Sequence, residues 1–245
     1  MRLERLGELD VRITGGTDGR GGGDGPIVVL LHGFGAPGND LVPLAQPLAQ
    51  ALGPSTPARF VFPAGPLELP GFWGESRAWW MIDMDLIQRL MANPAAASSL
   101  RGFADHEPDG LDPARERVLA MLSALRAHLG ADDTPLVLGG FSQGAMLSCD
   151  IALRTDLPLS ALVLLSGTLM CSSTWIPGMP ARAGLPVFQS HGQSDPLLAF
   201  RAAEALHGHM QEAGLQVSWH PFAGAHEIPL PVLQGLAGFL REQLA

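Results

Sequence analysis

Short apolar runs recur along the chain at intervals that leave room for a helix between them. Ile27–Leu31, Arg59–Phe62, Leu136–Leu138, Leu162–Leu165 and Leu185–Phe188 are each near-continuous in apolar residues. Runs of this length and character suit strands buried on both faces. Two segments behave differently. Leu9–Thr14 and Gln216–Trp219 alternate apolar with polar positions, as half-exposed strands do, and the second is placed nearer a sheet edge. Between the runs lie helical patterns over Asp40–Leu52, Asp112–Leu129, Gln143–Arg154, Leu198–Ala213 and Leu230–Leu244. Pro43 and Pro47 blur the start of the first. Asp112-Pro113 reads as an N-cap followed by proline at the first helical position, and Val118, Leu119, Leu122, Leu125 and Leu129 then share one apolar face.

Strands that alternate with helices predict an α/β fold with a mostly parallel central sheet and helices on both faces. No internal repeat or linker divides the chain, so residues 1–245 read as one domain. Gly15 to Gly25, with seven glycines and two aspartates, reads as a surface loop or wide turn. Met81–Asp112 breaks the alternation. It carries a helical pattern from Ile82 to Met91 and then polar, proline-containing sequence, an extra segment that is a candidate small cap.

Composition narrows the chemistry. Apolar residues make up 47% and charged residues 16% of the 245 positions, a core-forming balance. No apolar stretch approaches the roughly 20 residues needed to span a bilayer, and the N-terminus leads into no signal core, so a soluble, cytoplasmic protein is expected. The net charge of −9 comes without a basic cluster that would face nucleic-acid phosphates. Cys149 and Cys171 make neither a disulfide framework nor a CxxC metal pattern, and read as buried thiols. All 15 basic residues are arginine and tyrosine is absent. Without lysine there is no Schiff-base or pyridoxal phosphate chemistry and no P-loop.

Gly140-Phe141-Ser142-Gln143-Gly144 comes after one apolar run and opens a helical pattern. That is the setting of a nucleophile on a tight strand-to-helix turn, where flanking glycines avoid Cβ clashes and the next amides lie at a helix N-terminus. A serine nucleophile needs a base, and the base an orienting carboxylate. In α/β-hydrolases the chain order is serine, acid, histidine. His226 lies in a loop between the last strand and the last helix. His207 and His209 fall within a helical pattern, facing solvent, and His220 at a strand end. Asp195, just past the Leu185–Phe188 run, is the candidate acid. Asp150 and Asp156 belong to the helix after Ser142 and point away, while Glu227 adjoins His226 too closely to brace its ring. His32-Gly33-Phe34-Gly35 comes directly after the first buried run, so the amides of Phe34 and Gln143 are the natural oxyanion donors. Gln143 is thus assigned its role through its backbone rather than its side chain. Phe72, Trp73, Trp79, Trp80, Leu169 and Met170 are candidates for an apolar substrate pocket.

The same glycine loop also spells Gly33-x-Gly35-x-x-Gly38, a dinucleotide fingerprint. Such a fingerprint wants an acidic residue about 20 positions on to hold a ribose, and none stands between Leu41 and Leu67. Arg59 could face a phosphorylated ribose, but it falls at a strand start. A third possibility is a catalytically silent fold kept as a binding module; a missing triad member would favour it, and none is missing.

With these pieces in place the chain resembles the phospholipase/carboxylesterase family, which includes the acyl-protein thioesterases. The resemblance rests on Leu30-Leu31-His32-Gly33-Phe34-Gly35, Phe62-Pro63-Ala64-Gly65-Pro66, Arg77-Ala78-Trp79-Trp80, Gly140 to Ala145, Leu165-Ser166-Gly167, His191-Gly192 ahead of Asp195-Pro196, and Gly224-Ala225-His226-Glu227-Ile228. It implies hydrolysis of a small carboxylic ester or thioester by Ser142, Asp195 and His226 through an acyl-enzyme, with no metal or cofactor. A homodimer is left open. The sequence departs from the family at Trp80-Met81, in place of an aromatic-acid pair, and in the length of Met81–Asp112.

Overall fold

The computed structural model describes residues 1–70, 74–82, 105 and 107–244. Its main sheet contains strands β1 (Arg2–Leu6), β2 (Leu9–Gly16), β3 (Arg20–Gly22), β4 (Ile27–Leu31), β5 (Arg59–Pro63), β8 (Leu136–Phe141), β9 (Ala161–Leu165), β10 (Pro186–Gly192) and β11 (Gln216–Phe222). The order across it is β1-β2-β5-β4-β8-β9-β10-β11, with β3 beside β2. From β5 to β11 every neighbour pair is parallel. β2 is antiparallel to both of its neighbours on this path, β1 and β5. A small antiparallel pair, β6 (Leu67–Glu68) and β7 (Arg77–Ala78), stands apart.

Because side chains alternate along a strand, each buried run supplies both faces of the sheet. Val28, Leu30, Phe60 and Phe188 meet Leu48 of α1 (Ala45–Leu52) and Leu236 of α6 (Leu230–Leu244) on one face. Val29, Leu31 and Leu138 meet the other layer. That layer is built from α2 (Leu111–Leu129), α3 (Gln143–Arg154), α4 (Ser172–Gly178) and α5 (Phe200–Glu212). Burying one such aliphatic side chain contributes about 1.5–3 kcal/mol, which is why the continuous apolar runs, rather than the alternating ones, occupy the middle of the sheet.

Among the described residues, the predicted strands and helices are present, with shifted ends. The cap of α2 is Gly110, in the left-handed region at φ 91°. Asp112 stands inside the first turn and pairs with Arg115 at 2.6 Å; proline fits anywhere in a first turn, so it did not mark the boundary. A 3-10 turn at Val42–Leu44 precedes α1, which starts later than the pattern suggested. The Gly15–Gly25 loop contains β3, and the Asp18 carboxylate accepts the amides of Arg20 and Gly22 there. The expected helix over Ile82–Met91 and most of the Met81–Asp112 segment lie outside the described residues.

Candidate active site

Parallel strands put their carboxyl ends on one edge of the sheet, and Ser142, Asp195, His226 and the loop that carries Phe34 follow strand ends at that edge. Ser142 follows the last residue of β8 and caps α3 with φ 54° and ψ −117°, a strained conformation for a residue with a Cβ. Its amide donates to Leu165 O at 2.8 Å and its carbonyl accepts Met146 N–H at 3.0 Å. The serine hydroxyl makes no helix-capping bond.

His226 and Asp195 arrive from the loops after β11 and β10. His226 Nδ1 and Asp195 Oδ2 are 2.6 Å apart, and the imidazole packs on the ring of Phe141, next to Ser142, at a centroid distance of 4.7 Å. The Asp195 side chain is buried but well supplied with donors. Oδ1 accepts the amides of Leu197 and Leu198 at 2.8 and 2.9 Å, and Oδ2 lies 3.2 Å from His191 Nε2. Burial alone pushes this carboxyl up. The hydrogen bonds from His191, His226 and Leu198 outweigh that and hold it well below the usual carboxylate range. Asp195 therefore stays ionised near neutral pH. Gly192 permits this meeting of loops, since a Cβ there would fall 2.0 Å from Ala225 O.

The loop after β4 comes close to Ser142. A Cβ on Gly33 would lie 3.3 Å from Ser142 Cβ, which places the Phe34 amide one residue beyond that approach. His32 is buried behind it, accepting Gly65 N–H on Nε2 and pairing Nδ1 with Gly33 O, each at 2.8 Å. Burial, with lesser contributions from Arg77 and Arg12, lowers its pKa from 6.5 to about 4. The ring is therefore neutral near pH 7, with the proton on Nδ1.

The other candidates separate by position. Trp79 and Trp80 are buried in the core, and Trp79 donates its indole N–H to His32 O at 2.9 Å. Leu169 and Met170 are buried in the same layer. Phe72 and Trp73 lie outside the described residues. His207 is not turned to solvent as expected; it stacks on Trp219 at 5.1 Å. His220 faces away, bonded to Ser218 and stacked on Phe188. Asp150 is buried against Arg115 and Trp175. Three contributors escaped sequence reasoning: the Gln143 side chain, His32 and His191. Only the polar character of residues at buried positions could have signalled them.

The dinucleotide reading finds no support in this geometry. α1 begins at Ala45, beyond a 3-10 turn, rather than at Gly38, so no helix N-terminus opens directly on the glycine loop. Arg59 is buried at the opposite strand end, donating to Gly25 O at 2.8 Å.

Sheet order, the strained strand-to-helix turn at Ser142 and the His226–Asp195 pair at the same edge mark an α/β-hydrolase. The family model for Phospholipase/Carboxylesterase matches residues 23–244, and the chain belongs to that family. A probable carboxylesterase of Oryza sativa subsp. japonica is 28% identical over 221 residues, covering 89% of this chain and 88% of that protein. Acyl-protein thioesterase 1 of Debaryomyces hansenii is 24% identical over 227 residues, covering 89% and 90%. Among solved structures, esterase PE8 superposes with a TM-score of 0.73 at 27% identity, covering 96% of this chain and 99% of that one. A carboxylesterase from Mesorhizobium loti, at 19% identity and a TM-score of 0.72 over 98% and 97% of the two chains, shares the fold. Together these support a hydrolase acting on esters or thioesters. Among the described residues no helix is long and apolar enough to cross a membrane.

Proposed function

We propose that this protein is a serine hydrolase that cleaves carboxylic esters or thioesters through an acyl-enzyme on Ser142. The observation that carries the reading is the 2.6 Å pair between His226 Nδ1 and Asp195 Oδ2, set beside Phe141 and the strained Ser142 turn. With Nδ1–H committed to Asp195, the other ring nitrogen, Nε2, is left to act as the base.

In the first half-reaction Ser142 Oγ attacks the acyl carbon and its proton passes to His226 Nε2. The carbonyl oxygen takes up the electron pair and is held by the amides of Phe34 and Gln143. Collapse of the tetrahedral species breaks the bond to the leaving alcohol or thiol, which takes the proton from His226. Water then repeats the sequence on the acyl-enzyme and releases the carboxylic acid. Asp195 keeps its charge throughout and stabilises the imidazolium. Leu169 and Met170, just past β9 and at the same edge, would line the acyl side of the site.

The test is a fluorophosphonate with peptide mapping of the adduct. The label is expected on Ser142, and Ser142→Ala is expected to lose both labelling and nearly all esterase activity while keeping the wild-type circular dichroism. A folded Ser142→Ala protein that remains fully active sinks the assignment.

A further inference from the structure

A buried primary amide has to find partners for both of its ends. Gln143 is fully buried directly after the nucleophile. Its Oε1 accepts the amide of Trp79 at 3.0 Å and its Nε2 donates to Trp80 O at 2.9 Å. Both partners are main-chain atoms of one short strap, residues 76–80.

The other side of that strap is bound to the loop that carries Phe34. Gly35 N–H donates to Arg77 O at 2.9 Å, and Arg77 N–H donates to Ala36 O at 3.0 Å. Pro37 and Ser76 form an isolated bridge. Trp79 adds its indole N–H to His32 O. Gly65, which donates its amide to His32, presses flat on the strap; a Cβ there would fall 2.6 Å from Ala78 O. The β4–β8 pairing fixes the base of this loop at Leu31 and Gly140. The tip, from Gly33 to Pro37, lies beyond the last paired residues and is tied down by the strap.

We infer that the Gln143 side chain is a positioning residue for the oxyanion hole, tying the amide after the nucleophile to the loop that carries the second amide. The inference rests on the serine hydrolase reading above. It makes one side chain the link between two donors on separate elements, which must lie about 3 Å from the same developing oxyanion to act together. An apolar residue of equal length would fill the space but leave Trp79 N–H and Trp80 C=O without this partner.

Gln143→Met removes both bonds at similar volume. Gln143→Glu keeps the acceptor for Trp79 N–H and, when ionised, has no donor for Trp80 O. Trp79→Phe breaks the bond to His32 O and leaves the Trp79 amide in place. These variants and the wild type are compared for kcat and KM on an aryl ester, and for affinity toward a trifluoromethyl ketone whose serine adduct places an oxyanion in the hole. For Gln143→Met, kcat is expected to fall about 10- to 100-fold with KM changed by less than about threefold, and ketone affinity is expected to weaken in proportion to kcat/KM. Smaller losses with the same proportionality are expected for the other two, which carry the test if Gln143→Met does not fold. Variants that melt earlier yet keep wild-type kcat and ketone affinity below their melting temperature overturn the inference. So does a loss confined to KM. Fluorophosphonate mapping of the wild type separates the two levels. An adduct elsewhere than Ser142 overturns the hydrolase reading and the inference with it. An adduct on Ser142 beside unaffected Gln143 variants overturns the inference alone.

Discussion

Lowering the pH should unlock the loop behind the active site through a single buried imidazole. His32 accepts Gly65 N–H on Nε2 and holds Gly33 O with Nδ1, so a second proton would have to displace a hydrogen bond inside the core. Burial lowers its pKa from 6.5 to about 4, with Arg77 and Arg12 adding to the effect. The sign depends on which state binds the proton. Between pH 6.5 and about 4 the unfolded chain has taken up a proton that the folded chain refuses, so stability falls as pH falls through that window. At about 1.4 kcal/mol for each pH unit separating the two states, the full effect is about 3 kcal/mol.

Other groups titrate nearby and have to be subtracted. His207 and His220 are also lowered by burial, though both are much less buried than His32, and they act in the same direction. Asp195 is held below the usual carboxylate range, so its contribution is present above an ordinary carboxylate pKa and is lost at more acid pH. Guanidinium unfolding of the wild type and of His32→Gln, at steps from pH 7.5 to 4, isolates the His32 share as the difference between the two slopes. Glutamine keeps an oxygen acceptor for Gly65 and does not titrate. The wild type is expected to lose about 3 kcal/mol more than the variant over that range. A nuclear magnetic resonance titration of the His32 ring should show a midpoint near 4. Parallel stability curves, or a midpoint at 6.5, would show that His32 does not carry the effect.

The site and its support yield two further expectations. Asp195→Asn leaves the backbone of the loop able to form but removes the charge facing His226; kcat in an ester hydrolysis assay should fall about 10⁴-fold with little change in KM, and a loss below tenfold would count against Asp195 as the orienting acid. Trp175→Phe keeps most of the buried ring but removes the indole donor that meets Asp150 Oδ1 at 2.8 Å. It should cost about 1–3 kcal/mol in denaturant unfolding, whereas an unchanged midpoint would show that Arg115 and Arg154 satisfy Asp150 without it.

The fold was legible where burial was two-sided. Ile27–Leu31 and Leu162–Leu165 could be read as strands because both faces are covered and no polar position interrupts them. Elements with little core of their own were missed. β1 sets Leu3 and Leu6 among three charged residues over only five positions at the sheet edge, with no strand periodicity. The β6–β7 pair has two residues a side. α4 opens on two serines and contains Pro177, which breaks the helical signature. The catalytic candidates were legible for another reason: chain order and strand ends constrain a serine, an acid and a histidine with no knowledge of contacts. Gln143, His32 and His191 offered no such handle. Their partners include main-chain atoms, for Gln143 more than 60 residues away, and the identity of a residue carries no record of which distant carbonyl or amide it meets.

The motif around Ser142 has a second meaning that only the packing reveals. A Cβ at Gly140 would fall 2.4 Å from Leu31 O, and one at Gly144 would fall 2.0 Å from the same oxygen. Both glycines therefore let the turn press against the end of β4, as well as letting Ser142 hold a positive φ that costs about 1–3 kcal/mol. Leu31 is the last residue of β4, and His32 to Gly35 leave the sheet from it. Any side chain at either glycine would push that strand end, and the loop it carries, away from the serine. The spacing of the glycines about Ser142 thus sets two quantities together: the angle at which the hydroxyl leaves the turn, and the approach of the Phe34 loop to it. The Gln143 side chain acts one step further out, on the strap that holds the loop tip. On the proposed reading, nucleophile and oxyanion donors are in this sense built from one packing constraint rather than assembled as separate parts.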